Sequence, residues 1–346
     1  MLLAAGFVES SYDACVFNKG SGEKQVTIAF HVDDLLVTGK LAGELDEVLA
    51  MLESSFGQVT INRGAQHSYL GMNIVCKEDG IAIDMIAYLA KVLEGRELGK
   101  GVSTPAEDTL LEVNEESSRL PGGDAQTFHS DVAKLLYLAK RTRLEILLAV
   151  SFLSSRVSAP TEQDKSKLQR VFDYLASTRN VVLLLKRGGT VTMDSFIDAS
   201  YGNDVGGRSR TGVVLFMAGA TISGWTSKQK LVTKSSTEAE IVALSDGLTH
   251  VLWAREFLID QGYALGPTVV HEDNMGVIKL MSSKRTAKQR TKHLNIRYFF
   301  AVDRIESKDI CLKHVPTAYM IADMFTKPFK QIMLLMYGFA TEALLL

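Results

Sequence analysis

The order of predicted elements after Gly188-Gly189 is the feature that most restricts what this chain can fold into. Three consecutive β-rich runs come first, and a long helical spacing of apolar residues then begins an alternation of helix and strand. This order predicts a mixed β-sheet with helices packed against it, and therefore an α+β fold. The predicted strands cover 191–198, 213–217, 220–226, 268–272 and 309–315, with a Gly-, Arg- and Ser-rich turn over 202–212 and helices over about 237–260, 274–281 and from about Thr317.

The residues before Gly188 predict a second, less regular arrangement. Two β-rich runs meet at Asp33-Asp34, which indicates a hairpin, and apolar residues at helical spacing follow. The predicted elements are the hairpin over 25–38, a helix over 41–56, β-rich runs at 58–61 and 68–75, a Pro- and Gly-containing linker over 102–126, and helices near 128–155 and 161–178, the last with Thr161 as N-cap.

Four carboxylates in the last third of the chain have local contexts suited to holding Mg²⁺. Asp198 ends a predicted strand, Asp273 follows the run 268–271, and Glu240 and Asp323 lie on predicted helices. Hard divalent cations bind oxygen ligands, and two-metal phosphodiester chemistry uses about four carboxylates around ions ~3.5–4 Å apart. Each residue also has an ordinary explanation, because Asp273 fits a helix N-cap and Asp323 fits an exposed helix carboxylate.

Glu240 has a competitor within its own segment. Ser235 with Glu238, and Thr237 with Glu240, both have the spacing of a capping box. The spacing is compatible with one glutamate capping the helix while the other faces a neighbouring site, and it leaves open which does which.

Asp33-Asp34 and His314 are further candidates with strong structural alternatives. Adjacent carboxylates on a tight turn repel unless a cation neutralises them, so the pair fits a metal site for nucleotidyl transfer. Aspartate is equally common in ordinary turns. His314 fits a proton carrier, although a single histidine at a strand end is more often structural.

Charge is informative only locally. The formal net charge of −2 neither indicates nor excludes a nucleic-acid partner. From residue 274 to 302, however, there is no Asp or Glu, and basic residues are concentrated there. Such a run is typical of a solvated helix face as well as of phosphate contacts. The basic residues are Lys279, Lys284, Arg285, Lys288, Arg290, Lys292 and Arg297.

Cysteine usage and hydropathy favour a location inside the cell. Cys15, Cys76 and Cys311 are far apart and lack a paired metal spacing, which is typical of reduced thiols. No run reaches the ~18–20 apolar residues of a transmembrane helix. The apolar start of the chain lacks the basic flank of a signal peptide, so we expect neither membrane insertion nor secretion.

Taken together, these segments resemble the C-terminal part of the Pol polyprotein of copia-type long-terminal-repeat retrotransposons, in which reverse transcriptase precedes ribonuclease H. Residues 30–39 resemble the family's polymerase motif, 69–74 the strand that follows it, and 135–139 with Thr142-Arg143 the connecting region. The most specific matches lie in the ribonuclease H part, in the family's order. They are residues 208–212, 225–229, 235–240, 272–274, 290–293 and 322–328.

The resemblance implies a division of the chain and a function. It implies a partial reverse-transcriptase palm and thumb over 1–100, a connection over 101–187, a ribonuclease H-like domain with a mixed five-stranded sheet over 188–330, and a tail over 331–346. The implied activity is hydrolysis of RNA in RNA–DNA hybrids with two Mg²⁺ ions, or Mn²⁺. Other Pol or Gag products are the further partners it implies, in a cytoplasmic particle or the nucleus.

The resemblance also implies a role for each candidate residue. Glu240, rather than Glu238, aligns with the family's helix carboxylate, and Asp198, Asp273 and Asp323 align with the other metal ligands. His314 falls near the family's mobile histidine, and Asp33-Asp34 correspond to polymerase metal ligands. The implied contacts to nucleic-acid phosphates are Lys228, Lys230, Lys284, Arg285, Lys288, Arg290 and Lys292.

Departures from the family pattern support an alternative. His31 replaces a Tyr, Leu144-Glu145 replaces Pro-Asp, and Ser200 replaces a second Asp. Since the chain begins inside the palm, the upstream polymerase aspartate is not part of it, and we expect no polymerase activity from this chain. The alternative is a transposon remnant that holds nucleic acid without catalysis. An unrelated acidic metal enzyme, such as a phosphatase, does not explain the ordered motifs.

Overall fold

The computed structural model describes residues 1–186, 191–283, 292–328 and 339–341, with the backbone alone at 292–294 and 339–341. Within these ranges the chain forms three β-sheets with packed helices, which confirms the predicted mixed fold. The strands are β1 Val8–Glu9, β2 Val16–Lys19, β3 Val26–His31, β4 Asp34–Gly39, β5 Gln66–Tyr69, β6 Met72–Lys77, β7 Gly80–Asp84, β8 Val181–Lys186, β9 Met193–Asp204, β10 Arg208–Met217, β11 Ala220–Lys228, β12 Thr268–Glu272, β13 Ile310–His314 and β14 Phe339–Thr341. The α-helices are α1 Ala42–Phe56, α2 Ile86–Leu93, α3 Gly122–Ala139, α4 Leu147–Ser154, α5 Glu162–Ser177, α6 Ser236–Asp260, α7 Met275–Ser282 and α8 Lys292–Glu306.

The N-terminal sheet is an antiparallel meander of β1 to β4, covered by α1. Ile28 of β3 and Leu52 of α1 share its core, where one face of the strand meets the apolar stripe of the helix. β3 and β4 form the predicted hairpin, with His31 opposite Asp34. The tip differs from the prediction, because Asp33 lies in the turn while Asp34 is already the first residue of β4.

A second sheet, antiparallel in the order β14-β8-β7-β6-β5, shares a core with α2 to α5. Thr161 is the N-cap of α5 as predicted, in a capping box with Asp164. The β-rich run predicted at 58–61 is not a strand. Its Ile61 is exposed, so no core holds the run in an extended pairing.

The single helix predicted near 128–155 is wrong, because the chain turns between α3 and α4. The interruption centres on Arg143, which is non-helical and precedes a 3-10 turn over Leu144–Ile146. Its buried guanidinium donates to Thr178 O at 3.0 Å and to Glu145 Oε1 at 2.5 Å. These bonds tie the turn to the end of α5, and a continuous helix cannot make them.

The third sheet has the order β11-β10-β9-β12-β13. β9, β10 and β11 are antiparallel, while β12 and β13 continue the sheet in parallel from β9. This arrangement confirms the mixed five-stranded sheet expected within residues 188–330. Gly188-Gly189, where the change of rhythm was placed, lies outside the described residues.

The turn predicted over 202–212 is wrong in its extent. β9 continues to Asp204 and β10 begins at Arg208, so only 205–207 remain as the turn. The strands are extended by a buried ion pair, in which Arg210 Nε donates to Asp204 Oδ2 at 2.9 Å. The polar composition therefore indicated a loop, whereas the charged residues are buried and paired with each other within two strands.

The two faces of the third sheet pack against different elements. On one face Ile197 and Val213 share a core with Leu244 of α6. On the other face Val214 belongs to the core that α3 to α5 form, together with Phe325. Helices therefore flank the sheet on both sides, as expected.

Residues 317–325 form two 3-10 helices, Thr317–Tyr319 and Ile321–Phe325, instead of the α-helix predicted from Thr317. The second of them lies directly against the backbone of Gly212 in β10, where an added Cβ would be 2.8 Å from Ala322 O. Thr226 Oγ1 donates to Phe325 O, so this carbonyl is bonded by the sheet rather than by a further helical turn.

The division at residues 100/101, 187/188 and 330/331 stays a prediction. β7 and β8 lie on either side of the first boundary and pair with each other. β14, which falls within the predicted tail, pairs with β8.

Candidate metal centre

Three of the four predicted carboxylates converge in the structure. Asp198 comes from β9, Glu240 from the first turns of α6, and Asp273 follows β12 directly. One oxygen of each lies within 4.8 Å of an oxygen of the others. Asp198 and Glu240 are buried and Asp273 is partly exposed. The adjacent parallel strands β9 and β12, with α6 packed across β9, bring together residues that are far apart in sequence.

The start of α6 assigns different positions to its two glutamates. Ser235 Oγ accepts from the backbone N–H of Glu238 at 3.2 Å, and Glu238 Oε2 accepts from the backbone N–H of Lys234 at 2.7 Å. Ser235 is therefore the N-cap of α6, Glu238 bonds back to the residue before the cap, and Glu240 faces Asp198 and Asp273. The capping-box spacing left open which glutamate lies at the cap and which faces a neighbouring site, and these contacts distinguish the two.

Asp323 lies beside this group, and Lys327, which was not among the predicted site residues, connects the two. Lys327 Nζ is 2.8 Å from Asp323 Oδ1 and 3.8 Å from Asp198 Oδ2. Thr326 Oγ1 donates to the same Oδ2 of Asp198. Asp323 is not one of the three acidic residues grouped above, and it stands on a 3-10 turn rather than on an α-helix.

Glu272 is a second residue that sequence reasoning missed. It is fully buried at the end of β12; its Oε1 accepts from the backbone N–H of Asn274 at 3.0 Å, and its Oε2 has no hydrogen-bond partner. Thr268 and Val270 are also buried, so the period-two pattern of β12 was the available signal. The N-cap of α7 is Asn274, whose Oδ1 accepts from the backbone N–H groups of Gly276 and Val277, and not Asp273.

The electrostatics of the centre favour a bound cation. Burial, with the neighbouring charge of Asp323, raises the pKa of Asp198 to about 7, although Lys327 opposes this shift. Burial and the adjacent carboxylates also raise the pKa of Glu240 and of Glu272 well above their usual range. Glu240 Oε2, like Glu272 Oε2, is buried without a hydrogen-bond partner. Converging, unsatisfied oxygen donors of this kind fit a hard divalent cation.

His314 and the polymerase pair lie in different surroundings. His314 is the exposed last residue of β13, in register with Glu272, which places its backbone beside the carboxylate centre. Asp33 and Asp34 are exposed on the N-terminal hairpin. Among the described residues they belong to no group of three acidic, His or Cys side chains that could hold a metal ion.

The predicted phosphate contacts are described only in part. Lys228 and Lys230 are exposed at the end of β11 and just beyond it. Lys284, Arg285, Lys288 and Arg290 lie outside the described residues, and Lys292 is described by its backbone alone. Arg297, in the same basic stretch, forms an ion pair with Asp246 of α6.

No helix in the described ranges has both the length and the apolar character needed to cross a membrane.

The chain is similar to known retrotransposon proteins along nearly all of its length. Residues 1–108 match the family model for reverse transcriptase (RNA-dependent DNA polymerase). The Retrovirus-related Pol polyprotein from transposon RE1 of Arabidopsis thaliana is 30% identical over 331 residues, which is 94% of this chain and 22% of that protein. Its counterpart from transposon RE2 of the same plant is 29% identical over 335 residues, covering 96% of this chain and 23% of that protein.

Matches among solved structures include two complexes with RNA/DNA hybrid. The foamy viral protease-reverse transcriptase complex matches with a TM-score of 0.48 and 13% identity, over 84% of this chain and 36% of that chain. The LC11-RNase H1 complex matches with a TM-score of 0.31 and 15% identity, over 39% of this chain and 94% of that chain.

The present chain spans less than a quarter of the length of the RE1 and RE2 polyproteins, and its first 108 residues match reverse transcriptase. The ordered motifs and the similarity over nearly the whole length point to one origin: the chain belongs to the copia-type family of retrotransposon Pol polyproteins.

Proposed function

We propose that this chain is a Mg²⁺-dependent ribonuclease that hydrolyses the RNA strand of RNA–DNA hybrids. The convergence of Asp198, Glu240 and Asp273 from three separate elements is the observation that carries the proposal. Three carboxylates held together, two of them buried, are unfavourable unless a cation compensates their charge, so a fold that keeps them together indicates a use for that cation.

Asp198, Glu240 and Asp273 would hold the metal, with Asp323 as the fourth carboxylate. When bound, two Mg²⁺ ions, or Mn²⁺, supply a Lewis acid for the phosphodiester and a source of nucleophilic hydroxide. Glu272 fixes the peptide after Asp273 through its bond from Asn274, and so orients that ligand. His314, exposed at the end of the neighbouring strand, would carry a proton to the departing 3′-oxygen.

The substrate proposal follows from the family and from the exposed basic residues. A nuclease for hybrids distinguishes RNA by its 2′-hydroxyl groups and by groove shape, not by base sequence. Lys228 and Lys230, with the basic residues 284–292, would contact phosphates and make binding dependent on salt. In the longer polyprotein, other Pol or Gag products are further partners that we propose on family grounds.

We further propose that this chain does not polymerise DNA. Asp33 and Asp34 are exposed, and the described residues bring no third ligand to them. Nucleotidyl transfer needs a fuller set of carboxylates around its ions.

Substrate choice tests the proposed activity directly. With Mg²⁺ we expect the chain to cut 5′-labelled RNA paired with DNA, and to leave the same RNA uncut when it is paired with RNA. Chelation with EDTA should stop cleavage, because the carboxylates alone offer no electrophile. Cleavage that persists in EDTA, or equal cleavage of both duplexes, contradicts the proposal. Salt-sensitive binding of the hybrid without cleavage identifies the alternative, an inactive nucleic-acid-binding remnant.

A further inference from the structure

We propose that Lys327 is a positioning residue that acts as a tethered counter-ion of the carboxylate centre and sets the Mg²⁺ concentration at which the centre fills. The inference rests on the proposed function, because it concerns the same site. It adds a role for a side chain that is not itself a metal ligand.

The ammonium group of Lys327 lies between two of the carboxylates. Its Nζ is 2.8 Å from Asp323 Oδ1 and 3.8 Å from Asp198 Oδ2. The same Asp198 oxygen also accepts a hydrogen bond from Thr326 Oγ1. Two adjacent residues of one segment therefore interact with the same carboxylate oxygen of a residue that would hold the cation.

The backbone holds this segment in place, so only the lysine side chain has to move. The Lys327 amide donates to Asp323 O at 2.9 Å, and the Thr326 amide donates to the same oxygen at 3.1 Å. Phe325 is buried, and its carbonyl accepts from Thr226 of β11. The Lys327 side chain is 42% exposed, which leaves it a path toward solvent.

An ammonium and a hard cation compete for the same carboxylate oxygens. In the absence of metal, the ammonium offsets part of the repulsion among Asp198, Glu240 and Asp273 and stabilises the arrangement that metal requires. Metal entry then has to break the contacts of the lysine. A partly exposed ion pair is broken at modest cost, so we expect it to weaken Mg²⁺ binding by roughly 3- to 10-fold relative to a centre without it.

The test uses the full chain and compares Lys327→Met with Lys327→Arg. Methionine keeps much of the aliphatic stem without the charge, whereas arginine keeps the charge. Thermal unfolding and calorimetry are followed during titration with Mg²⁺ alone. Lys327→Met should lower the melting temperature without metal and should shift the Mg²⁺ midpoint to a concentration roughly 3- to 10-fold lower. Lys327→Arg should stay near the wild-type midpoint.

Lys313→Met is the control for a general loss of positive charge, because Lys313 is exposed on β13 and belongs to no proposed contact. The Mg²⁺ midpoint of Lys313→Met should differ from that of the wild type by less than about twofold, as for a charge that solvent screens. An unchanged or higher midpoint in Lys327→Met overturns the inference; a midpoint that stays the same while hybrid binding weakens assigns the lysine to phosphate contact instead. If Mg²⁺ does not bind the wild-type chain at all, the proposed function fails first, and the inference fails with it.

Discussion

Replacing Asp198 by Asn is expected to reduce cleavage of RNA–DNA hybrids by about 10³-fold or more, the equivalent of about 4 kcal/mol of transition-state stabilisation. Asp198 is buried and lies within ligand distance of Glu240 and Asp273. Asparagine keeps the shape of the side chain and can still accept from Thr326, so the fold should persist. It removes the negative charge that holds the cation, and the loss should therefore appear in catalysis rather than in stability.

Asp194→Asn is the matched control for this variant. Asp194 lies on the same strand, and its Oδ1 is 3.2 Å from His271 Nε2, outside the group of converging carboxylates. We expect cleavage by Asp194→Asn to remain within about twofold of wild type, as for a substitution away from the reacting atoms. An Asp198→Asn protein that cuts hybrids at more than a tenth of the wild-type rate would show that the centre is misassigned.

Glu240→Gln is expected to stabilise the metal-free protein by about 2 kcal/mol at pH 8, because it removes a buried charge from beside other carboxylates. This difference in stability between Glu240→Gln and the wild type should be smaller at pH 5. Burial and neighbouring charges raise the pKa of Glu240 and of Asp198 in the folded state. As the pH rises from about 4, the unfolded chain loses protons that the folded protein retains, so the free energy of unfolding of the wild type falls. For Asp198 this fall continues to about pH 7, where its folded-state pKa lies. Glutamine does not titrate, so the free energy of unfolding of the variant does not include the decrease with pH that Glu240 causes in the wild type.

With Mg²⁺, the wild type should become more stable than Glu240→Gln. Bound Mg²⁺ stabilises the folded wild type by mass action, and the variant should gain little because it has lost a ligand. Glu238→Gln is the control, since glutamine can also accept the bond from the Lys234 amide, and Glu238 is not one of the converging carboxylates. Its stability should change by no more than about 0.5 kcal/mol at either pH. Melting curves with and without Mg²⁺ at pH 5 and pH 8 measure all of these effects. A Glu240→Gln protein less stable than wild type at pH 8 would contradict them.

Regular periodicity made much of the last sheet predictable. Short β-rich runs located β12 and β13, and the helical spacing of α6 was correct to within a residue at its start. The turn over 202–212 failed because Arg210 and Asp204 are polar in composition yet pair inside the sheet. Sequence patterns report burial well only when buried residues are apolar.

The same limit applies to the candidate site. Asp198, Glu240 and Asp273 were recognisable by context, but their convergence depends on strand order and on helix packing, which no local pattern contains. Glu272 and Lys327 were missed, since a charged residue within a motif gives no sign of what it faces. Both were within the motifs that carry the family resemblance, and only contacts show that one orients Asp273 and the other pairs with Asp323.

One departure from the family pattern has a structural explanation. Leu144-Glu145 stands where the family has Pro-Asp, and the buried Glu145 bonds Arg143 within the turn between α3 and α4. The longer glutamate keeps the acidic partner of a buried guanidinium, whose loss would cost about 3–5 kcal/mol. Glu145 therefore forms a structural ion pair in this chain, and this departure gives no support to a decayed chain.

Direct metal binding is the most immediate test of the central claim that the converging carboxylates form one cation site. Titration with Mn²⁺, followed by electron paramagnetic resonance, should show binding to the wild-type chain and none at the same concentrations to the Asp198→Asn/Asp273→Asn double variant. Added Mg²⁺ should displace the Mn²⁺. Equal Mn²⁺ binding by the wild type and by a folded double variant would contradict the account.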